Sequence, residues 1–393
     1  MHVTHLSLAD FRNYARAELA LTAGPTLLVG RNGQGKTNLV EAISYPSLGG
    51  SHRVAGDAAL VRAGEEAAIV RMRVAHDDRA IVVELQLNKS GTNRAQVNGS
   101  VVRMRELPRY VHTVLFAPED LALVRGEPSG RRSFLDALVV QRSPRMAGTL
   151  GDYDRVLRQR NSLLKSARAS RLSPDALTTL DVWDERLVTL GVEIMAARVA
   201  LVAELRPHLT AGYAAVAGDD HAATLGLRHS AVDPSGDAPL DDSDELDAER
   251  AAAQFRFSLA ERRRAELERA VTLVGPHRDD LVLTLNGLPA RTHASHGESW
   301  SYALALKLAA ARVLRADAVA GDPIVILDDV FAELDEGRRE RLADAVADFE
   351  QVLITAAVEN DVPERLAATR IPIVAGTIQA LNQPGDDTAS GDV

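Results

Sequence analysis

A glycine-rich loop between an apolar strand and a helix constrains the fold of this chain more than any other feature. It matches the pattern G-x-x-x-x-G-K-[ST] at every defined position, and its residues are Gly30, Arg31, Asn32, Gly33, Gln34, Gly35, Lys36 and Thr37. A strand pattern precedes it at residues 26–29, and a helical pattern follows it at residues 38–43. In such a loop, backbone N–H groups converge on a phosphate, and the positive end of the helix adds to the attraction. The motif therefore predicts a P-loop that binds a nucleoside triphosphate.

Two side chains of this loop have roles that follow from the chemistry of phosphate binding. Lys36 is expected to reach the outer phosphates, and the Thr37 hydroxyl is expected to help hold Mg²⁺. The alternative is a glycine-rich turn between a strand and a helix that binds no ligand. Because every defined position of the motif is filled, we favour the nucleotide site.

A second apolar run, far downstream, ends in two carboxylates. Residues 323–327 are apolar, and Asp328 and Asp329 follow them, as expected for a buried parallel strand with an acidic carboxyl end. Asp328 is predicted to hold Mg²⁺, directly or through water, and Asp329 to orient or deprotonate the attacking water. Acidic residues also follow strands as helix caps, but the pair together with a complete P-loop predicts a site for hydrolysis.

A polar tetrapeptide, Ser-His-Gly-Glu at residues 295–298, precedes a long amphipathic stretch. As local structure it is a capping box, because a Ser at the N-cap and a Glu three residues later satisfy each other's backbone N–H groups. The tetrapeptide also matches the S-x-G-E signature of ABC-type ATPases. Both interpretations stay open for the tetrapeptide considered alone.

The order of the motifs resembles that of an ABC-type ATPase head, with the P-loop, the signature, the acidic strand and then a D-loop at residues 332–335. The resemblance implies ATP as the nucleotide and a homodimer that forms when ATP is bound. It also implies that Ser295, Gly297 and Glu298 act in trans, closing over the γ-phosphate held by the other subunit. The separation of Lys36 from Ser295 is longer than in compact transporter ATPases, so a segment is inserted.

The predicted fold class is α/β, an ABC-type P-loop ATPase head split in sequence by an inserted, mostly helical lobe. Strand patterns dominate the start of the chain, helical patterns follow from residue 131, and strands return at residue 281. The predicted domains are the N-terminal half of the head at residues 1–120, the lobe at 121–268, the C-terminal half of the head at 269–378 and a disordered acidic tail at 379–393.

Composition limits the function without deciding it. The chain has 393 residues, of which 25% are charged and 46% hydrophobic, and this balance is ordinary for a globular protein. Its net charge of −10 argues against a uniformly basic nucleic-acid binder but not against a local basic face. The absence of cysteine excludes a disulfide framework. With no signal-peptide pattern and no membrane-spanning apolar run, the expected location is cytoplasmic.

Several short motifs narrow the resemblance to the RecF family of recombination mediators. The chain resembles that family at the F-R-N-Y turn and at four further segments, which are residues 51–53, 118–136, 275–281 and 327–335. The resemblance implies ATP-dependent DNA binding in recombinational repair and replication restart. An ATP-bound dimer would clamp DNA at gaps or stalled forks, and slow hydrolysis by a weak ATPase would release it. The mediator proteins RecO and RecR are the implied partners.

Two positions depart from the ABC pattern. Ala332 stands where a Ser is common in the D-loop, which puts a hydroxyl contact across the dimer in doubt. Thr355 stands where transporter ATPases carry a switch His. Because a Thr hydroxyl cannot accept and release protons near neutral pH, the second departure fits slow hydrolysis.

Basic residues cluster in the predicted helical lobe. The candidates for DNA contacts are Arg131, Arg132, Arg158 and Lys165, and the same stretch also contains Arg155, Arg160, Arg168 and Arg171. The simpler interpretation is a solvated helix face. If these residues line one groove of a dimer, they form the positive surface that an acidic protein needs to bind DNA phosphates. Aromatic residues are not interleaved with them, so base stacking is not indicated.

Three alternatives compete with the RecF interpretation. A chromosome-structuring (SMC) head would require a long coiled coil, and the inserted lobe lacks sustained heptads. A transporter ATPase is disfavoured by the motif spacing and by Thr355. A nucleotide-gated interaction platform with little turnover remains open. The segment Gly275–Leu281 also keeps two interpretations, a family motif or a turn in which Arg278 and Asp279 pair.

Overall fold

The computed structural model describes residues 1–54, 56–170, 178–218, 221–232, 245–316 and 321–379. The strands in this part of the chain are β1 (His2–Phe11), β2 (Tyr14–Ala20), β3 (Gly24–Val29), β4 (Ala67–His76), β5 (Arg79–Asn88), β6 (Arg94–Val97), β7 (Ser100–Val102), β8 (Thr113–Phe116), β9 (Ala223–Arg228), β10 (Asp280–Leu285), β11 (Leu288–Pro289), β12 (Ile324–Asp328), β13 (Gln351–Ala356), β14 (Thr369–Val374) and β15 (Thr377–Ile378). The helices are α1 (Lys36–Leu48), α2 (Leu121–Arg125), α3 (Pro128–Arg142), α4 (Met146–Ala169), α5 (Thr178–Ala217), α6 (Ala248–Arg269), α7 (Ala290–His293), α8 (His296–Ala316) and α9 (Glu336–Val346).

The chain forms two compact units. Unit 1 contains the described parts of Met1–Met104, Thr113–Pro118 and Ala320–Val393, and unit 2 contains those of Arg105–His112 and Glu119–Val319. Unit 1 is therefore assembled from the two ends of the chain. This arrangement agrees with a head split in sequence by a long insertion.

A mostly parallel sheet forms the core of unit 1, with the strand order β15-β14-β3-β13-β12-β8. Strands β14, β3, β13, β12 and β8 run parallel to their neighbours, and β15 pairs antiparallel with β14. Every residue of β12 and β13 is buried. Their apolar runs at residues 324–327 and 352–354 follow from this position, since a central parallel strand is covered on both faces. The carboxyl ends of β3, β13 and β12 lie side by side, so the segments that follow them meet at one edge of the sheet.

A second sheet of unit 1 is antiparallel, with the order β2-β1-β4-β5-β6-β7. Along β4, buried and exposed side chains alternate, because one face of the sheet is covered and the other is solvated. The predicted turn at Asn98 and Gly99 joins β6 to β7, and both residues have positive φ, +50° and +77°. Such values are what an Asn-Gly hairpin turn requires.

Helices dominate unit 2, as predicted for the insertion. The long helix α5 packs against α4, α6, α8 and β9, and a small sheet has the order β11-β10-β9. A Cβ at Gly212 of α5 would lie only 3.3 Å from the backbone oxygen of Ala305 on α8. Small residues at this crossing therefore let the two helices approach closely.

The contact of α8 with α5 changes the division of the chain that the sequence suggested. The sequence boundary assigned residues 269–316 to the C-terminal half of the head, whereas this stretch clusters with the helical unit. The reason is that α8 packs along α5 and β10 pairs with β9. The signature tetrapeptide is therefore part of unit 2.

The predicted α/β class, with a split head and a mostly helical insertion, is confirmed. The strand before the P-loop, the helix after it and the apolar strand that ends at Asp328 all form as expected. The predicted acidic tail lies, except for Gln379, outside the described residues. Within the described part of the chain, no helix combines the length and the apolarity needed to cross a membrane.

Candidate nucleotide-binding site

The P-loop joins β3 to α1 in unit 1, and its glycines are required by its geometry. Gly33 and Gly35 have φ values of +79° and +111°, which L side chains rarely adopt. A Cβ at Gly35 would lie 2.6 Å from the Tyr14 hydroxyl, and a Cβ at Gly30 would lie 2.3 Å from the Ile373 carbonyl oxygen. The loop therefore keeps its shape only with glycine at these positions.

Lys36 places a buried positive charge inside the loop. Lys36 is only 3% exposed, and its Nζ donates to the carbonyl oxygens of Gly30 (2.8 Å) and Arg31 (3.4 Å). The adjoining cavity has a volume of about 160 Å³ and is lined by Asn32, Gly33, Gly35, Lys36, Thr37, Asn38, Arg53 and Asp329. An ammonium group at the N-terminus of a helix suits an anion. The residues present thus fit the phosphates of a nucleotide.

The predicted metal-binding residues lie together at the carboxyl edge of the parallel sheet. Asp328 ends β12 and is 4% exposed, and the Thr37 hydroxyl donates to its Oδ1 over 3.1 Å. Asp329 follows with φ +51° and lines the same cavity. Hydroxyl and carboxylate oxygens are ligands that Mg²⁺ prefers. Thr37 and Asp328 therefore fit a magnesium ion beside the phosphates.

Thr355, at the carboxyl end of β13, connects the two acidic residues. It is fully buried, its hydroxyl donates to Asp328 Oδ1 (2.6 Å), and the same hydroxyl accepts a bond from the Asp329 N–H (3.0 Å). Because β13 lies between β3 and β12, its last residues reach the P-loop edge of the sheet. The sequence showed Thr355 only as a replacement for the switch His, and its contact with Asp328 was not predicted.

Two arginines flank the P-loop helix and share the buried carboxylate of Glu41. Arg12 donates to both Glu41 oxygens (2.6 and 2.8 Å), and the Ser51 hydroxyl donates to one of them. Burial by itself raises the pKa of Glu41, but the hydrogen bonds and charge of Arg12, together with Ser51, bring the pKa below its usual range. Arg53 donates to Asn38 Oδ1 (3.0 Å) and lines the phosphate cavity. The place of this cation at the nucleotide site was not predicted from the sequence.

The signature tetrapeptide begins α8 in unit 2 and forms the predicted capping box. The Ser295 N–H donates to Glu298 Oε2 (2.7 Å), and the Glu298 N–H donates to Ser295 Oγ (3.3 Å). Ser295 is exposed, and Gly297 and Glu298 are half-buried. A capped and accessible helix N-terminus can also receive an anion. The cap is therefore compatible with a contact to a phosphate in another subunit.

Arg125 supports the start of α8 from within unit 2. Its guanidinium donates to Ser299 Oγ (3.0 Å) and to the carbonyl oxygen of Ala294 (3.1 Å). The Ser299 hydroxyl in turn donates to the Ser295 carbonyl oxygen (2.8 Å). Arg125, which lies within the segment 118–136 that the sequence matched to a family motif, thus orders the residues on both sides of the signature.

The basic candidates of the helical lobe separate into two groups. Arg131 is 4% exposed and donates to both oxygens of Asp280 (2.8 and 3.0 Å), and Arg132 donates to the Asp279 carbonyl oxygen (2.8 Å). Their charges stabilise the start of β10, which does not suit the DNA contact that the sequence suggested for them. Arg158 and Lys165 are exposed on α4, and their spacing of two helical turns puts both on one face.

The segment Gly275–Leu281 is a largely buried junction of unit 2, in which Arg278 is exposed. Gly275 has φ +125°, and a Cβ there would lie 2.6 Å from the Tyr153 hydroxyl. His277 Nδ1 lies 2.7 Å from that hydroxyl, and burial lowers the pKa of His277 to about 4, so the ring is neutral near pH 7. Asp279 is 1% exposed and accepts a bond from the Ser230 N–H (2.9 Å). Through these buried contacts, the motif connects α4 and the segment after β9.

Comparison with known proteins identifies the family. Residues 2–376 match the RecF/RecN/SMC N-terminal domain. The chain is 59% identical over 386 residues to the DNA replication and repair protein RecF of Clavibacter sepedonicus, covering 96% of this chain and 95% of that protein. The chain belongs to the RecF family. Its identity to RecF of Leifsonia xyli subsp. xyli is 58% over 384 residues, which cover 96% of this chain and 99% of that protein.

Solved structures agree with this membership. A structure of the recombination mediator protein RecF-ATPrS in the RecFOR pathway is 28% identical, with a TM-score of 0.85, and covers 97% of this chain and 98% of that chain. A structure of the same mediator described as RecF-ATP has a TM-score of 0.82 at 27% identity, covering 96% of this chain and 98% of that chain. An Smc head bound to the C-winged helix domain of ScpA has a TM-score of 0.53 at 15% identity, with 96% of each chain covered. This last likeness concerns the fold alone.

Proposed function

We propose that this RecF family member is an ATP-dependent DNA-binding protein of recombinational repair and replication restart, with weak ATPase activity. The observation that carries the proposal is the P-loop cavity, which is lined by the buried Lys36 and by Thr37, whose hydroxyl bonds to Asp328. The close relatives are DNA replication and repair proteins, and RecF–ATP complexes of the same fold support ATP as the nucleotide. Membership of the RecF/SMC class supports hydrolysis of that ATP.

The proposed mechanism uses ATP to join two subunits. Lys36 and the P-loop of one subunit bind the phosphates, and Thr37 and Asp328 hold Mg²⁺, which neutralises phosphate charge when bound. Ser295, Gly297 and Glu298 of the other subunit close over the γ-phosphate. ATP favours the closed dimer because it contacts both subunits only in that state. The exposure of Ser295 at the start of α8 supports this trans contact.

Hydrolysis ends the closed state in this proposal. Asp329 lines the phosphate cavity and orients the attacking water. Thr355 supplies a hydroxyl in place of a histidine, so turnover is slow and the clamp on DNA is long-lived. Loss of the γ-phosphate removes the ligand that bridges the subunits, and DNA is released. A platform with hardly any turnover remains the second candidate, because the same cavity binds ATP whether or not Asp329 acts.

The DNA surface must be local, because the chain carries a net charge of −10. Arg158 and Lys165 on the exposed face of α4 are its proposed centre. Gaps and stalled forks are the proposed targets, and RecO and RecR are the proposed partners, since the similar RecF structures belong to the RecFOR pathway. A cytoplasmic location stays a prediction.

A charge placed at the signature tests the trans contact. Ser295→Asp preserves the helix cap, because Asp is as good an N-cap as Ser, but it sets a carboxylate against the γ-phosphate. We expect monomers to bind ATP as wild type does and ATP-dependent dimerisation on DNA to weaken at least about 100-fold, since like charges at an interface cost several kcal/mol. Light scattering with ATP and DNA measures dimer formation, and a fluorescent ATP analogue measures monomer binding.

Ser295→Asn is the matched control, because Asn caps the helix equally well without a charge. It is expected to dimerise much more tightly than the Asp variant. If the Asp variant dimerises like the Asn variant, Ser295 serves only as a helix cap. A wild-type chain that stays monomeric with ATP and DNA contradicts the whole clamp proposal.

Charge reversal on α4 tests the DNA surface. The double variant Arg158→Glu with Lys165→Glu should weaken DNA binding and lower the slope of log affinity against log salt by about two, one for each lost phosphate contact. DNA affinity is measured at several salt concentrations with ATP present. Arg79→Glu with Lys89→Glu, exposed positions of unit 1, changes the net charge equally and serves as the control. Equal slopes for both double variants would remove α4 from the DNA surface.

A further inference from the structure

The hydroxyl of Thr355 holds both carboxylate-bearing residues of the nucleotide site. It donates to Asp328 Oδ1 over 2.6 Å, and it accepts the Asp329 N–H over 3.0 Å. Thr37 donates to the same oxygen, Asp328 Oδ1, over 3.1 Å. Asp328 therefore receives one hydroxyl from the P-loop helix and one from β13, and the second of these bonds is the shorter.

These bonds restrict the orientation of the Asp328 carboxylate, which is a predicted ligand of Mg²⁺. Two donors converging on Oδ1 hold that oxygen in place and restrain rotation of the carboxylate, while Oδ2 lies 4.0 Å from His52 Nε2. Asp328 is 4% exposed and Thr355 is fully buried, so water competes little for these bonds. Residues that hydrogen-bond a metal ligand orient it and raise its affinity for the metal.

The Asp329 bond fixes the neighbouring backbone. Asp329 adopts φ +51°, a conformation that is uncommon for a residue other than glycine. Its N–H is held by the Thr355 hydroxyl at 3.0 Å and, at 3.3 Å, by the Thr355 carbonyl oxygen. The left-handed turn directs Asp329 to the phosphate cavity that it lines. One threonine thus positions a predicted metal ligand and a predicted water-orienting residue.

We propose that Thr355 is a positioning residue that sets the affinity of the ATP site for Mg²⁺ through Asp328. The inference rests on the proposed ATP function and deepens it. It differs from a purely structural role, in which the buried hydroxyl would contribute only to the stability of β13. The two roles predict different results when nucleotide binding is measured with and without Mg²⁺.

The test compares Thr355→Val, which keeps the shape of the side chain and removes the hydroxyl, with Thr355→Ser, which keeps the hydroxyl. Binding of a fluorescent ATP analogue to the full chain is measured in EDTA and then during titration with Mg²⁺. The Val variant should bind the analogue in EDTA as wild type does, while its Mg²⁺ midpoint rises at least about tenfold. The Ser variant should have a midpoint near that of wild type.

Melting without nucleotide separates positioning from structure. A Val variant with a normal Mg²⁺ midpoint overturns the inference while leaving the proposed function intact. Weakening of binding in EDTA and with Mg²⁺ by the same factor, accompanied by a lower melting temperature, shows a structural role and also overturns it. If Thr355→Val does not fold, Thr355→Ala takes its place with the same expected shift. A wild-type chain that binds no ATP under either condition contradicts the proposed function itself.

Discussion

Lys36→Met should abolish ATP-dependent dimerisation of the chain while its melting temperature without nucleotide stays close to that of wild type. The Lys36 ammonium contacts only loop carbonyl oxygens in the described structure, those of Gly30 and Arg31, and it borders the phosphate cavity. Removing a buried charge that pairs with a ligand costs at least about 2 kcal/mol of binding free energy. ATP affinity should therefore fall by a factor of about 30 or more.

Calorimetric titration with ATP and light scattering measure the two effects of this change. Asp329 lines the same cavity, and Asp329→Asn serves as the matched control. It should retain ATP binding and form dimers that last longer on DNA, because it removes the carboxylate that orients water but not the cation that holds the phosphates. Normal dimer formation by Lys36→Met would show that the P-loop does not drive assembly.

Arg160→Met should lower the free energy of unfolding of unit 2 by about 3–5 kcal/mol. Arg160 is fully buried and donates to Asp184 (2.6 Å), Glu266 (2.6 Å) and the Thr272 hydroxyl (2.9 Å). Asp184 keeps a second partner in Arg263, at 2.7 Å. The fully buried Glu266 loses the cation that compensates its charge, and this loss accounts for most of the expected effect.

Chemical denaturation followed by circular dichroism measures the stability change. Arg158→Met, two residues away on the exposed side of α4, is the matched control and should change stability by less than about 0.5 kcal/mol. Adding Glu266→Gln to Arg160→Met should restore part of the lost stability, because no buried charge is then left alone. Equal stabilities of the Arg158 and Arg160 variants would contradict the buried network.

The nucleotide site was largely predictable because its motifs are local. A P-loop requires glycine where φ is positive, as at Gly33 and Gly35, and a central parallel strand requires an unbroken apolar run, as in β12. Each requirement is met by a short continuous stretch of residues, so the sequence alone shows it. The parallel topology then brings the ends of β3 and β12 to one edge, so Thr37 and Asp328 meet across 291 positions of sequence.

Which basic residues of the lobe are available for DNA contacts depends on how the helices pack. Arg158 and Arg160 both lie in one helical stretch, but only the second meets carboxylates from α5 and α6. The sequence likewise suggests Arg131 as a cation for DNA, but in the structure Arg131 pairs with Asp280, 149 positions away. Helical periodicity shows which face of a helix is apolar but not which distant acid a long side chain reaches. Burial and charge pairing are therefore set by packing.

The P-loop, the acidic strand, the α/β class and the family could all be inferred from the amino-acid sequence, since each depends on residues that stand close together or in a fixed order. The bond between Thr355 and Asp328, the place of Arg53 at the phosphate cavity and the position of residues 269–316 in the helical unit appear only in the folded chain. The physical reason is that hydrogen bonds and helix packing act between neighbours in space. Those neighbours become known only when the strands have been ordered and α8 has packed on α5.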